Sequence, residues 1–206
     1  MTMSMIASNQ FSSDRGKSIK KSLRTQILQQ RMELSKDYCQ SADEAILHQL
    51  LKIPEYIQAK KVFTYVSMQG EVDTINLIIR ALKDNKVIAV PKCIEKGIME
   101  AYRIQGLMEL KTGAYGILEP YENCEKIDSK ALDLAVIPCV SCNERGGRLG
   151  YGGGYYDRYL PTSPAIRILL CRERVMVDDI PEEAHDCKAD MVITEKRILR
   201  TNGYNF

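Results

Sequence analysis

The stretch Leu132-Asp-Leu-Ala-Val-Ile-Pro138 carries an unbroken apolar run, Leu134-Ala-Val-Ile137, and leads into Asn143-Glu-Arg-Gly-Gly-Arg-Leu-Gly-Tyr-Gly-Gly-Gly-Tyr-Tyr-Asp157. An apolar run on both faces fits a strand buried in a parallel sheet, and Pro138 stops it. Six of the 13 glycines lie between Gly146 and Gly154. Tyr155-Tyr-Asp-Arg-Tyr-Leu160 behind them reads as the first turns of a helix. A strand, a glycine loop and a helix start in succession suit an anion, because bare backbone N–H groups approach a phosphate closely. Arg145 and Arg148 are placed to neutralise it, and the carboxyl ends of strands in open α/β sheets are where ligands bind.

Outward from this stretch, strands are expected at Val62 to Val66, Val87 to Val90 (ended by Pro91), Ile98 to Ile104, Ile166 to Leu170 and, last, Met191 to Thr194. Helices are expected from Lys17 to Met32, with Ile19, Leu23, Ile27 and Met32 as its apolar stripe, and from Ala42 to Leu51, stopped by Pro54. A third runs from an Asp73 or Thr74 cap to about Leu82. Strands alternating with helices predict an α/β fold, a mostly parallel central sheet flanked by helices, with a helical N-terminal region. Residues 17–206 form a single domain in this reading, and residues 1–16 a disordered extension.

Composition excludes several classes. The chain has 206 residues, 45% hydrophobic and 27% charged, with a net charge of +2. It is neither a disordered chain nor a nucleic-acid binder held by bulk charge, and no apolar run is long enough for a membrane span. Seven cysteines, an odd number without a dense framework, predict a reduced, cytoplasmic protein. The Ser-rich start lacks the basic and apolar regions of a signal peptide; organellar targeting by this tail stays open. Cys139-Val-Ser-Cys142 is a CxxC, but its nearest partners for zinc, His185 and Cys187, are far along the chain. Free thiols at a strand end are expected.

The glycine loop fits neither standard nucleotide pattern. No lysine follows the glycines as a Walker loop requires, and a G-x-G-x-x-G begun at Gly150 meets Tyr155 where its third glycine belongs. Composition therefore predicts an anion loop without naming the anion.

The residues Arg148-Leu-Gly-Tyr-Gly-Gly-Gly-Tyr-Tyr-Asp157 resemble the signature of the 5-formyltetrahydrofolate cyclo-ligase family. Collinear stretches extend the resemblance: Lys20-Lys-Ser-Leu-Arg24, Gly70-Glu-Val-Asp-Thr74, Gly116-Ile-Leu-Glu-Pro120, Leu132 to Pro138, and His185-Asp-Cys-Lys-Ala-Asp190. The resemblance implies a Rossmann-like three-layer fold, similar to that of sugar-phosphate isomerases and CoA transferases. It implies a monomer that turns 5-formyltetrahydrofolate, polyglutamylated or not, and ATP into 5,10-methenyltetrahydrofolate, ADP and phosphate with Mg2+.

By the same resemblance, Lys20, Lys21, Ser22, Leu23 and Arg24 bind ATP together with Arg148, Leu149, Gly150, Tyr151, Gly152, Gly153, Gly154, Tyr155 and Tyr156. Val66, Glu71 and the run from Tyr151 to Tyr155 bind the folate. Arg148 and Tyr155 are the implied catalytic residues, and Asp157 and Asp190 the implied magnesium ligands. A carboxylate such as Glu71 suits the donor-rich edge of a pterin. His185 is expected to be structural. Some members carry lysine at the position of Gly153, many carry glycine at that of Cys139, and many carry Phe-Asp at that of Cys142-Asn143; these departures would set thiols beside the nucleotide. A non-catalytic regulator on this fold would be expected to have lost Arg148, Asp157 or Glu71, and all three are present.

Overall fold

The computed structural model describes residues 3–113 and 116–201, with side chains from Arg15 onward. Helix α1 spans Met3–Glu33. Of the extension expected over residues 1–16, Met1 and Thr2 lie outside the described residues, and the remainder forms the leading turns of α1. Helix α2 (Lys36–Leu50) is capped by Ser35, whose side chain accepts from the Tyr38 amide. Helix α3 (Pro54–Gln58) precedes strand β1 (Lys61–Thr64). Helix α4 (Ile75–Lys83) follows Thr74, but the Asp73 carboxylate performs the capping, accepting from the amides of Ile75 and Asn76.

Strand β2 (Val87–Glu95) pairs with β3 (Ile98–Ile104) in an antiparallel hairpin. Contrary to the expected end at Pro91, β2 continues, with Pro91 opposite Ala101. By then β2 has outrun its parallel pairing with β1, whose last register pair is Phe63 with Ala89. Pro91 therefore has no ladder bond to break on that side. Short strands β4 (Leu110–Thr112) and β5 (Leu118–Pro120) pair with each other, and β6 (Lys126–Ile127) joins β3. Strand β7 is Leu134–Ile137, as its apolar run predicts. Strands β8 (Ser141–Cys142) and β9 (Arg148–Leu149) form a hairpin, followed by α5 (Tyr155–Tyr159). Strands β10 (Ile166–Leu170), β11 (Met191–Ile193) and β12 (Ile198–Arg200) complete the chain. Strand β12 is one strand beyond the expected last.

The central sheet has the order β12-β11-β10-β7-β1-β2-β3-β6. The five strands from β11 to β2 are parallel, and antiparallel β12 and β3 flank them. Alternate residues sort to its two faces. Val62, Ile88, Leu134, Val136 and Ile168 join a core with α2 and α4, whereas Phe63, Ala89, Ala135, Ile137 and Leu169 join one with α1 and α5.

The stripe expected on α1 is only half right. Ile27 is buried and Leu23 packs on the core, but Ile19 and Met32 are exposed. Positions 23, 27 and 31 share a face at spacings of four, so Arg31, not Met32, turns inward and is buried.

Strand order reverses at β1. Through α4 the chain reaches β2 on one side, and all later parallel strands are added on the other, beginning with β7. Val62, Phe63 and Thr64 pair with Leu134, Ala135 and Val136, so β1 and β7 end level. The segments leaving both strands emerge together at this switch point, where such sheets bind ligands.

Candidate active site

From β1 the chain runs through Tyr65 and Val66, both buried, to a turn that carries Glu71. This turn is tied down from inside. The Thr74 hydroxyl donates to the Tyr65 carbonyl at 2.7 Å, and the Glu71 carboxylate accepts from the Met68 amide at 2.9 Å. Arg172, which follows β10, donates to the carbonyls of Gly70 (3.0 Å) and Glu71 (2.7 Å) while Asp43 of α2 holds it at 2.7 and 2.8 Å. Burial pushes the pKa of Glu71 up; the Met68 amide, the Tyr151 hydroxyl and Arg31 oppose that rise.

From β7 the chain passes Cys139 into the β8–β9 hairpin. Asn143 is fully buried and its Oδ1 accepts from the amides of Arg145 and Gly147, which closes the turn. Gly146 adopts φ +78°, and a Cβ there would collide with the Ala189 carbonyl. This turn carries Arg145 into an exposed pair with Asp179 at 2.5 Å, so Arg145 does not serve the glycine run. Arg148 does. Its Nη2 spans both oxygens of Asp157 at 2.8 and 2.7 Å, and its guanidinium lies 5.6 Å from the centre of the Tyr156 ring.

Helix α1 closes over the run from the other side. Arg24 Nε donates to the Gly150 carbonyl at 2.7 Å, and its guanidinium is 3.6 Å from where a Cβ of Gly152 would stand. Arg31 donates to the Tyr151 hydroxyl at 3.2 Å and to the Cys139 carbonyl at 2.6 Å. Lys20 pairs with Asp186 at 2.5 Å and Glu183 at 3.8 Å. The stretch from Lys20 to Arg24 is thereby split by helical geometry. Lys20, Leu23 and Arg24 face the protein, whereas Lys21 and Ser22 are exposed.

Within the glycine run, Tyr151, Gly152 and Gly153 are exposed, but Leu149 is fully buried in the core. Tyr155 and Tyr156 are half-buried; Tyr156 packs on Phe63 at 6.2 Å, and Tyr155 reaches Cys93 of β2. Val66 is 2% exposed and forms part of the core wall beneath Glu71. Helix α5 is only five residues long, so the favourable dipole expected behind the glycines is slight.

The two aspartates implied as magnesium ligands have different partners. Asp157 serves Arg148, while Asp190 precedes β11 and accepts from the Arg167 amide at the start of β10, at 2.9 Å. Neither belongs to any group of three or more His, Cys, Asp or Glu side chains among the described residues with ligand atoms within 4.8 Å. Asp157 is thus engaged by an arginine side chain and Asp190 by an arginine amide, and a magnesium ion held there would share these carboxylates with those donors and take its other ligands from ATP oxygens and water. His185 is exposed beside Glu183 at 3.4 Å, rather than held in the interior.

The CxxC cysteines are free thiols just past the end of β7, as expected, but they are buried rather than exposed. Cys139 and Cys142 are buried and meet Cys171, which follows β10, with the three sulfurs within 4.8 Å of one another. Mutual hydrogen bonding and burial hold Cys142 and Cys171 well above the usual thiol pKa, as inert protonated groups.

This arrangement has relatives. The sequence profile of the 5-formyltetrahydrofolate cyclo-ligase family matches residues 16–195. The chain belongs to that family. Its structure is similar to the NMR structure of the 5,10-methenyltetrahydrofolate synthetase of Aquifex aeolicus, with a TM-score of 0.80, 32% identity, and 89% and 93% of the two chains covered. The 5-formyltetrahydrofolate cyclo-ligase of Haemophilus influenzae is 29% identical over 80% of this chain and 91% of its own. The mouse 5-formyltetrahydrofolate cyclo-ligase is 28% identical over 86% and 94%. Within the family frame, the residues that sequence reading missed are Arg31, Arg158 and the Arg172–Asp43 pair. Arg158 donates to the carbonyls of Gly97 and Gly153, both at 2.6 Å. Of these, only Arg31 has a local signal, its spacing of seven from Arg24 on one helix face.

Proposed function

We propose that this member of the cyclo-ligase family converts 5-formyltetrahydrofolate and ATP to 5,10-methenyltetrahydrofolate, ADP and phosphate. One observation carries the reading. A buried carboxylate in the turn after β1, Glu71, interacts with Tyr151 of the glycine run that follows β7. A group suited to the donor edge of a pterin thus adjoins a loop suited to phosphates.

The chemistry requires both. A formamide oxygen is a poor leaving group, so it first attacks the γ-phosphorus, and the bond from phosphorus to the bridging oxygen of ADP breaks. N10 then adds to the activated carbon, its proton leaves to solvent, and the carbon–oxygen bond breaks to release phosphate. Most of the acceleration in such transfers comes from alignment and charge neutralisation. Lys20, Arg24 and Arg148 supply the cations at the glycine run, and Glu71 fixes the pterin. Arg148 and Tyr155 of the glycine run are the residues we assign to the reacting groups, an assignment supported by the family signature that contains them. Magnesium enters with the nucleotide as MgATP, its ligands the triphosphate and water.

We read the protein as a monomer, as the family resemblance implies, and place it in the cytoplasm, which its odd set of seven cysteines supports. None of the described helices is long and apolar enough to cross a membrane. The deciding assay follows the absorbance of the methenyl product with purified protein, 5-formyltetrahydrofolate and MgATP. Folded protein that makes no ATP-dependent product overturns the reading.

A further inference from the structure

Arg31 lies in the last turns of α1 and is 8% exposed. Basic side chains are almost never buried this deeply without a task that repays desolvation. Arg31 forms no salt bridge among the described residues: its Nη2 donates to the Cys139 carbonyl at 2.6 Å and its Nη1 to the Tyr151 hydroxyl at 3.2 Å, and Nε is buried with no hydrogen-bond partner. Cys139 and Tyr151 are the groups that act on Arg31 most directly, and the same Tyr151 hydroxyl interacts with the Glu71 carboxylate, whose pKa Arg31 helps to lower. Arg24 and Arg31 are two helical turns apart on one face, yet they hold adjacent residues, Gly150 and Tyr151. The helix grips the phosphate side of the loop with one arginine and the Glu71 side with the other.

We propose that Arg31 is a positioning residue for folate recognition: through the Tyr151 hydroxyl it orients the Glu71 carboxylate and keeps it charged. This rests on the cyclo-ligase reading above. The groups that face Glu71 are the phenols of Tyr65 after β1, Tyr151 from the glycine run and Tyr156 from α5, the Cys139 thiol after β7, the Met68 amide, Arg31 from α1 and, at its backbone carbonyl, Arg172, itself paired with Asp43. Arg31 is the cation that lowers this carboxyl, so its removal leaves only the Met68 amide and the Tyr151 hydroxyl to oppose burial and the Cys139 thiol, which favour the protonated form. Arg24 and Lys20 stay in place, so the nucleotide end is untouched.

The test compares Arg31→Met, Arg31→Lys and Tyr151→Phe with the wild type, with exposed Met32→Ala as control. Steady-state rates are measured against pH for each substrate, and the Glu71 carboxyl is titrated by NMR in glutamate-labelled protein. Arg31→Met is expected to raise KM for 5-formyltetrahydrofolate about tenfold or more. It should leave KM for ATP near the wild-type value and move both the acid limb of the folate kcat/KM profile and the Glu71 titration to higher pH. Arg31→Lys, which keeps the charge but not the fork, should restore the limb more than the KM. Tyr151→Phe should raise the folate KM alone. A Glu71 titration and folate KM unchanged in Arg31→Met overturn the proposal, as does an equal rise of both KM values. If Arg31→Met does not fold, an unchanged limb and folate KM in both Arg31→Lys and Tyr151→Phe overturn it. A wild type without ATP-dependent turnover sinks the cyclo-ligase reading instead, and the NMR titration still decides whether Arg31 governs the Glu71 charge.

Discussion

Arg148 meets Asp157 through a single nitrogen that bridges both carboxylate oxygens, at 2.8 and 2.7 Å, with 7% and 18% of the two side chains exposed. The pair joins the β8–β9 hairpin to α5 and so fixes both ends of the glycine run. Asp157→Asn leaves a buried guanidinium without its countercharge and is expected to cost about 3 kcal/mol in urea unfolding. A loss within error of zero would show the pair to be structurally idle.

The same pair has a pH signature. Burial works to raise the Asp157 carboxyl, but Arg148 outweighs it and holds the pKa below the usual carboxylate value. A lowered folded pKa stabilises fully above the unfolded value, about 4, and that stabilisation is lost as pH falls through the folded one. The stability gap between wild type and Asp157→Asn should therefore be flat at neutral pH and shrink only below about pH 4. A gap that instead narrows between pH 6 and about 8 contradicts the assignment.

Asp43 anchors Glu71 at one remove. It holds Arg172, and Arg172 holds the carbonyls of Gly70 and Glu71. Asp43→Asn should cost about 3 kcal/mol in thermal or denaturant unfolding. Amide exchange should quicken most between Ser67 and Asp73; uniform quickening across the sheet would mean that the pair supports the fold at large.

Burial of Cys139, Cys142 and Cys171 predicts slow alkylation in the native protein. Peptide mass mapping after brief iodoacetamide treatment should find label on half-buried Cys39 and Cys124 first. Cys93 should lag behind, because burial and Glu119 push its thiol up to about 11. Early labelling of Cys139 would contradict the packing described.

Lys20 is neutralised by Asp186 and Glu183 in this structure. If it serves the triphosphate, those acids compete with the nucleotide. Lys20→Met should raise KM for ATP and leave that for folate unchanged, whereas Asp186→Asn should lower KM for ATP. Equal effects of Lys20→Met on both substrates would count against a phosphate role.

The sequence by itself determined the long helices, the main sheet strands and the glycine loop, because these are written in local patterns, whereas the short α3, β4, β5, β6, β8, β9 and β12 carry no such pattern. The apolar run at Leu134 to Ile137 can only be a strand buried on both faces, and the spacing of the glycines rules out the two standard nucleotide loops. The tail of β2 past Pro91 was not legible, since Pro91 is tolerated only because a neighbouring strand has already ended. Tertiary structure alone decided which distant groups meet. Glu71 and Tyr151 come together because β1 and β7 pair in register at the switch point, and no local period encodes that pairing. For the same reason Cys171 joins Cys139 and Cys142, Asp190 meets the Arg167 amide, and Arg31 is turned inward by a helix whose partner face only the folded sheet supplies.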